Sequence, residues 1–239
     1  MFASRRITTL GGDQFRDDHS LQFLLNEYLD FGDITTLDGL ADFSFAYWVK
    51  FREDTSQMLF SKGIYGGNGN AFGGYFNEST SSGRFRFSQS RASGEFTGFA
   101  IYLNTALQFL PQNIWHHIVI TVSDTNNRAF FYFNKYQIAM GDDARTGEDG
   151  TTYDGHSSLA DGYNENSEFQ PIANTSDDLF FGREGSNYSN LKIADAAIYG
   201  KELSKADVLT IYNEREPYNH KEGRLSNDLK IWLRMGDGL

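Results

Sequence analysis

The chain has 239 residues, no cysteine and a formal charge of -11, from 32 acidic against 21 basic side chains. That balance repels a phosphate backbone, which proteins bind by neutralising it with Lys and Arg. The missing thiols exclude disulfides, thiolate metal sites and a cysteine nucleophile. With 21 Phe, 13 Tyr and 24 Gly beside only 3 Pro, the composition predicts a single all-β domain of half-buried strands and tight turns, held by packing alone.

In chain order, residues 1–18 mix charge, Gly and short apolar pieces without a period, and read as an N-terminal arm. No run reaches the roughly 18 apolar residues of a membrane span, and the opening residues lack the apolar stretch of a secretion signal, so synthesis in a cytoplasm and no membrane partner are expected. SLQFLLNEYLDFG, from Ser20, reads as a hairpin broken at Asn26-Glu27, followed by a turn at Thr36 to Gly39. FSFAYWVKF is the clearest strand: Phe43, Phe45, Tyr47, Val49 and Phe51 share one face, and Ser44, Ala46, Trp48 and Lys50 the other. MLFSKG at 58–63, a Gly/Asn loop and GRFRFSQS at 83–90 continue as a meander.

Ile114 to Met140 reads as two long strands around a turn at Asp124 to Asn127, with a second turn at Asn134-Lys135. Residues 141–168 carry eight carboxylates among Gly, Ser, Thr and Asn, and read as a long solvated surface loop. DLFFG at 178–182 and LKIADAAIY at 191–199 return to strand. A short helix starts at Ser204, where Ser204 and Asp207 have capping-box spacing, with Val208, Ile211 and Tyr212 on its apolar side. DLKIWLRM at 228–235 is a last strand. The domain plan is thus an arm (1–18), a sandwich (19–216) and a C-terminal strand and tail (217–239) closing on the same domain.

The ordered pieces YLDFG, DFSFAYWVKF, LFSKG, GRFRF, WHHIVITVSDTNNRAFFYFNKYQI, LFFG and LKIADAAIYGKELSKADVLTIYN resemble the laminin-G-like branch of the concanavalin A-like lectin and glucanase superfamily, from about Ser20 to Asn213. The resemblance implies a two-sheet antiparallel β-sandwich, a jelly roll, with one short helix near the C-terminus. It also implies mainly structural roles for Trp115, His117 and the Ser204 helix. In the family the late strand carries an Asp directly after its Ile; here Ile193 is followed by Ala194, and Asp195 comes one place later. FGDITTLDGLADFSFAYWVKF and IWLRMGDG further resemble structural proteins of tailed bacteriophages, marine ones especially. The ending Gly236 to Leu239 fits a longer parent chain.

No site motif points to catalysis. Glucanases of the superfamily use E-x-D-x-x-E or E-x-D-x-E strands to hold two carboxyls about 5 to 5.5 Å apart; neither motif occurs, and no metal-binding pair arises from His116-His117, whose rings alternate across a strand. No enzyme activity and no cofactor are therefore expected. The calcium reading rests on Asp142, Asp143 and Asp195, because related domains bind calcium at a loop rim through carboxylates and carbonyls. Tyr65, Tyr75, Tyr153, Tyr163 and Tyr188 lie in Gly/Asn/Ser-rich stretches. Two readings of them stand side by side: platforms for a sugar ring, or aromatic cover between subunits.

The leading functional expectation is a structural and recognition module of a virion, a capsid decoration, spike or tail fibre subunit assembled in the host cytoplasm. Its expected partners are other virion proteins, further copies of itself and host surface glycans. The alternatives are a free carbohydrate-binding lectin dependent on calcium and, third, a glycoside hydrolase assembled from distant carboxylates.

Overall fold

A computed structural model describes residues 19–24, 26–53, 56–63, 72–79, 82–90, 96–102, 112–138, 144–146, 152–154 and 169–234. In chain order the strands begin with β1 (Leu21–Phe23), β2 (Leu29–Asp30), β3 (Asp42–Phe51), β4 (Gln57–Lys62), β5 (Phe72–Ser79), β6 (Ser82–Ser90) and β7 (Phe96–Tyr102). There follow β8 (Trp115–Ser123), β9 (Arg128–Phe133), β10 (Tyr136–Ile138), β11 (Ala144–Thr146), β12 (Thr152–Asp154), β13 (Leu179–Phe181), β14 (Arg183–Glu184) and β15 (Asn187–Tyr188). Last come β16 (Leu191–Tyr199), the helix α1 (Lys205–Tyr212) and β17 (Leu229–Leu233).

Two antiparallel sheets face each other. One runs β1-β16-β3-β8-β9-β10, with β17 also paired to β16; the other runs β2-β13-β4-β5-β6-β7. Between them lies the aromatic interior that the alternation of β3 predicts: Phe43, Phe45, Tyr47, Val49 and Phe51 join Phe60, Phe72, Phe76, Phe85, Phe87, Ile118, Ile120 and Phe131. Across the two sheets Phe45 stacks on Phe60, parallel at 8° with centroids 4.3 Å apart. That stack demands a bare backbone beside it, because a Cβ on Gly74 would meet the Phe60 ring at 2.5 Å. The glycines that read as loop are thus part of strand β5, and they break the alternating pattern for this packing reason.

The other face of β3 is also buried. Helix α1 and the chain after it lie on the outside of the seven-stranded sheet, forming a second core from Ala46, Val119, Tyr132, Ala197, Tyr199, Leu203, Val208, Ile211 and Leu225. Trp48 packs against Ala194 and Tyr212 in a third cluster. The helix forms where its cap allows: the Ser204 hydroxyl accepts from the Asp207 amide at 3.2 Å, while Asp207 Oδ2 accepts from the Ser204 amide at 2.9 Å. It stops at Asn213, which turns left-handed at φ 43°.

Two expectations are corrected. Residues 20–32 do not form a hairpin: β1 pairs with β16 and β2 with β13, so the two segments enter different sheets. Asn26, at φ 74°, makes the bend, and three- and two-residue strands are too short to hold each other against the longer partners available across the sandwich. Within the acidic stretch 141–168, β11 and β12 pair as a short antiparallel ladder rather than continuous loop.

Candidate functional site

The end of the six-stranded sheet at β2 and β13 gathers polar and aromatic groups from distant parts of the chain. Leu179 and Phe181 of β13 point into the core, which turns Phe180 outward. The chain then bends at Gly182, φ 79°, and the short β14-β15 pair folds back over β4, where Ser61 Oγ donates to the Arg183 carbonyl at 2.9 Å. This puts the Arg183 guanidinium 4.5 Å from the Tyr28 ring centroid, 4.9 Å from Phe180 and 5.8 Å from Tyr188. Tyr28 and Phe180 meet edge to face at 5.7 Å, and Tyr28 and Tyr188 are tilted by 44° at 6.0 Å. Arg183 Nε donates to the Gly185 carbonyl at 2.8 Å, which fixes the guanidinium plane. Tyr28 keeps 37% of its surface exposed. The result is an outward-facing aromatic surface with a cation set into it, a combination that suits C–H stacking on one side and hydrogen-bond donation on the other.

A second polar cluster lies on the outside of the opposite sheet, under the C-terminal strand. Asp195 sits at a bulge in β16, where the register with β3 shifts between Ala194 and Ala197 and its own φ is 48°. Asp195 Oδ1 accepts from Trp232 Nε1 at 2.8 Å, and Oδ2 accepts from the Tyr218 amide at 3.2 Å. His220 Nε2 approaches Oδ1 to 3.1 Å without the alignment of a full hydrogen bond, while its Nδ1 pairs with the Tyr199 hydroxyl. Burial pushes the Asp195 carboxyl up, but the His220, Trp232 and Tyr218 contacts outweigh it and hold the group below the ordinary carboxylate value. Next to it, burial drives the His117 imidazole down to about 3, against a smaller upward pull from Asp195. Each Asp195 oxygen thus accepts one hydrogen bond from the C-terminal segment, Oδ1 from Trp232 of β17 and Oδ2 from Tyr218, so the cluster acts as a structural clamp for β17.

A family model for concanavalin A-like lectin/glucanases, of the laminin-G type, matches residues 25–170, more than half of the chain. The chain belongs to the concanavalin A-like lectin/glucanase superfamily. The matched segment ends before β13 and β16, so the last strands of both sheets lie beyond it. Among solved structures, a protein from Bacteroides ovatus described as carbohydrate-binding superposes with a TM-score of 0.54 at 10% identity, over 92% of this chain and 52% of that one. This lectin-like chain therefore spans about half the length of that relative. A heptameric SAP-like pentraxin from Limulus polyphemus gives a TM-score of 0.48 at 12% identity, over 83% of this chain and 79% of the other. Trypanosoma rangeli sialidase gives 0.49 at 12% identity, over 82% and 28%. At 10% identity the Bacteroides ovatus structure shows a shared fold and nothing further. No curated protein matches the chain.

Within this concanavalin A-like frame the predicted residues separate. Tyr188 belongs to the Arg183 surface. Tyr75 is buried, with 7% of its surface exposed, and offers no platform. Tyr153 lies on β12, while Tyr65, Tyr163, Asp142 and Asp143 lie outside the described residues. Asp195 is spoken for by Trp232, Tyr218 and His220. Among the described residues no group of three or more His, Asp or Glu side chains gathers to hold a metal. The rings of His116 and His117 do take opposite sides of β8, His116 against Phe133 and His117 against Trp48. Tyr28 and Arg183 were missed because nothing local marks them: they stand 155 positions apart and meet only through the pairing of β2 with β13.

Proposed function

We propose that this domain is a non-catalytic recognition module of a virus particle, a capsid decoration, spike or fibre subunit, which binds host surface glycans through Tyr28, Tyr188 and Arg183. The observation that carries the reading is the exposed ring cluster around Arg183, displayed at the end of a rigid sheet. A pyranose can lay its C–H face on Tyr28 or Tyr188 while the Arg183 Nη groups donate to its hydroxyl or carboxylate oxygens. The virion part rests on the resemblance of the opening and closing segments to tailed-phage structural proteins. The non-catalytic part rests on the missing glucanase strand motif. Symmetric self-association, with other virion proteins as neighbours, completes the proposal.

The test is a glycan array probed with the wild-type chain and with the Tyr28→Ala/Tyr188→Ala variant, in the presence of a chelator. Binding that survives chelation and disappears in the double variant supports the reading. Equal binding by both proteins, or release of reducing sugar from any polysaccharide, refutes it. Mass spectrometry of purified particles from the host that encodes the chain tests the virion assignment; its absence from them would leave a free lectin.

A further inference from the structure

The side chain of Lys62 has 0% of its surface exposed, although it carries an ammonium. A buried charge of this kind persists only when its surroundings replace water completely. Here they do: Lys62 Nζ donates to Asp33 Oδ1 at 2.8 Å, to the Thr175 carbonyl at 2.9 Å and to the Asp177 carbonyl at 3.0 Å. Those three bonds exhaust an ammonium's donors. A fourth oxygen, Asp38 Oδ1, lies 3.6 Å away, buried and with no hydrogen-bond partner. Its side chain is 10% exposed.

Two carboxylates and two backbone carbonyls converging on one point supply four of the roughly six to eight oxygens that a calcium ion takes. One positive charge faces two carboxylates, of which Asp33 is 33% exposed, and the buried Asp38 Oδ1 is ion-paired at 3.6 Å without accepting a hydrogen bond. A divalent ion would balance both carboxylates and use that oxygen. The oxygens come from the segment after β2 and the segment before β13, and the stem that reaches them comes from the end of β4. The same strands are locked by the Phe31 and Leu179 amides and by Gly63 donating to the Asp178 carbonyl.

We infer that the Lys62 cage is a calcium-type cation position filled by the chain's own ammonium, so that the wild-type edge of β2 and β13 is ordered without metal and Lys62→Ala opens the position to calcium. The oxygens now 2.8 to 3.0 Å from nitrogen must close by roughly 0.4 Å to reach calcium distances and Asp38 Oδ1, now at 3.6 Å, by roughly 1 Å, and water takes the remaining coordination positions in the volume vacated by the stem. The inference rests on the proposed glycan surface only in its consequence, namely that recognition at Tyr28 and Arg183 is independent of calcium. The cage itself stands on its own geometry.

The experiment compares melting temperatures in chelator and in millimolar calcium chloride, with calorimetric titration of calcium, for the wild-type chain, Lys62→Ala, Lys62→Met and Lys62→Ala/Asp38→Asn. Wild type is expected to melt at the same temperature in both buffers. Lys62→Ala should melt roughly 10 °C lower in chelator, regain at least half of that in calcium and bind one ion. Lys62→Met, whose stem still fills the cage, and the Asp38→Asn double variant should show no recovery. Folding of Lys62→Ala only when calcium is added counts as the same positive result. Failure to fold in either buffer, a calcium response no larger than wild type, or a melting temperature of the wild-type chain that rises in calcium, each overturns the inference. Loss of array binding in Tyr28→Ala/Tyr188→Ala reports on the glycan surface alone and leaves the calcium response of Lys62→Ala unchanged, so the two readings fail separately.

Discussion

The molecule buries a cation at one sheet and an anion at the other, and it solves the two problems differently. Lys62 reaches from the end of β4 into oxygens supplied by loop backbone and by two carboxylates. Asp195 is displayed by a bulge in the middle of β16 and is met by an indole, an amide and an imidazole from the C-terminal segment. Lys62 is a long side chain held in a cage of oxygens, whereas Asp195 is a bulge position on which the C-terminal segment is clamped. The first arrangement can be imitated by a free ion and the second cannot, because its donors are an indole and a backbone amide aimed by covalent geometry.

The sharpest way to break this contrast is to remove each charge. Lys62→Met and Asp195→Ala should each lose roughly 3–5 kcal/mol in urea unfolding, since each leaves buried partners without a counterpart. A neutral result for Lys62→Met would mean that the cage tolerates an apolar stem and that the asymmetry is false. Acid separates the clusters next. The His117 pKa, about 3 in the folded chain, lies below the roughly 6.5 of an unfolded histidine, so the unfolded state binds the proton first. The contribution from neutral His117 is whole above about pH 6.5 and erodes as pH falls toward 3, losing roughly 2–3 kcal/mol by pH 4.5. Protonation of Asp195 adds loss in the same direction at the acid end, because its folded pKa is lowered. Replacing His117 by Gln should flatten the slope between pH 6.5 and 4.5, as read from urea midpoints; an unchanged slope would assign the acid sensitivity elsewhere.

Smaller effects sharpen the comparison from the surface. Ser204→Ala removes one side of the capping box on α1 and should cost about 1 kcal/mol, with a matching loss of amide-exchange protection in the first turn of the helix. Tyr28→Ala should shift stability by about 0.5–1 kcal/mol through lost contact with Arg183 and Phe180. It leaves the melting curve nearly intact while abolishing the proposed glycan binding. A large stability loss there would make the ring cluster structural.

Much of the sandwich was legible because its signals are local. The alternation in 43–51 names the residues that the core contains, and the spacing of Ser204 and Asp207 names the cap. The same alternation is silent about the opposite face of β3, where Trp48 and Ala46 are as buried as Phe45, since no pattern within a strand reveals that a helix starting at Lys205 will cover it. The strands β5 and β7 were hidden by their glycines, of which Gly74 answers to Phe60 and not to any neighbour in sequence. The displaced Asp195 was visible as a one-residue offset, but only the bulge explains it: one extra residue in β16 turns the carboxylate onto the outer face, beneath Trp232.

By itself the order of residues determined the class, the aromatic interior and the helix start, which follow from periodicity and caps that act over a few residues; the family came from the resemblance of its motifs in order. Tertiary structure alone decided which polar groups meet. Lys62 with Asp33 and Thr175, Tyr28 with Arg183, and Asp195 with His220 and Trp232 are joined by strand pairings between distant segments. A side chain's partner across a sandwich depends on register and sheet order, and neither is written in the spacing of the residues that use it.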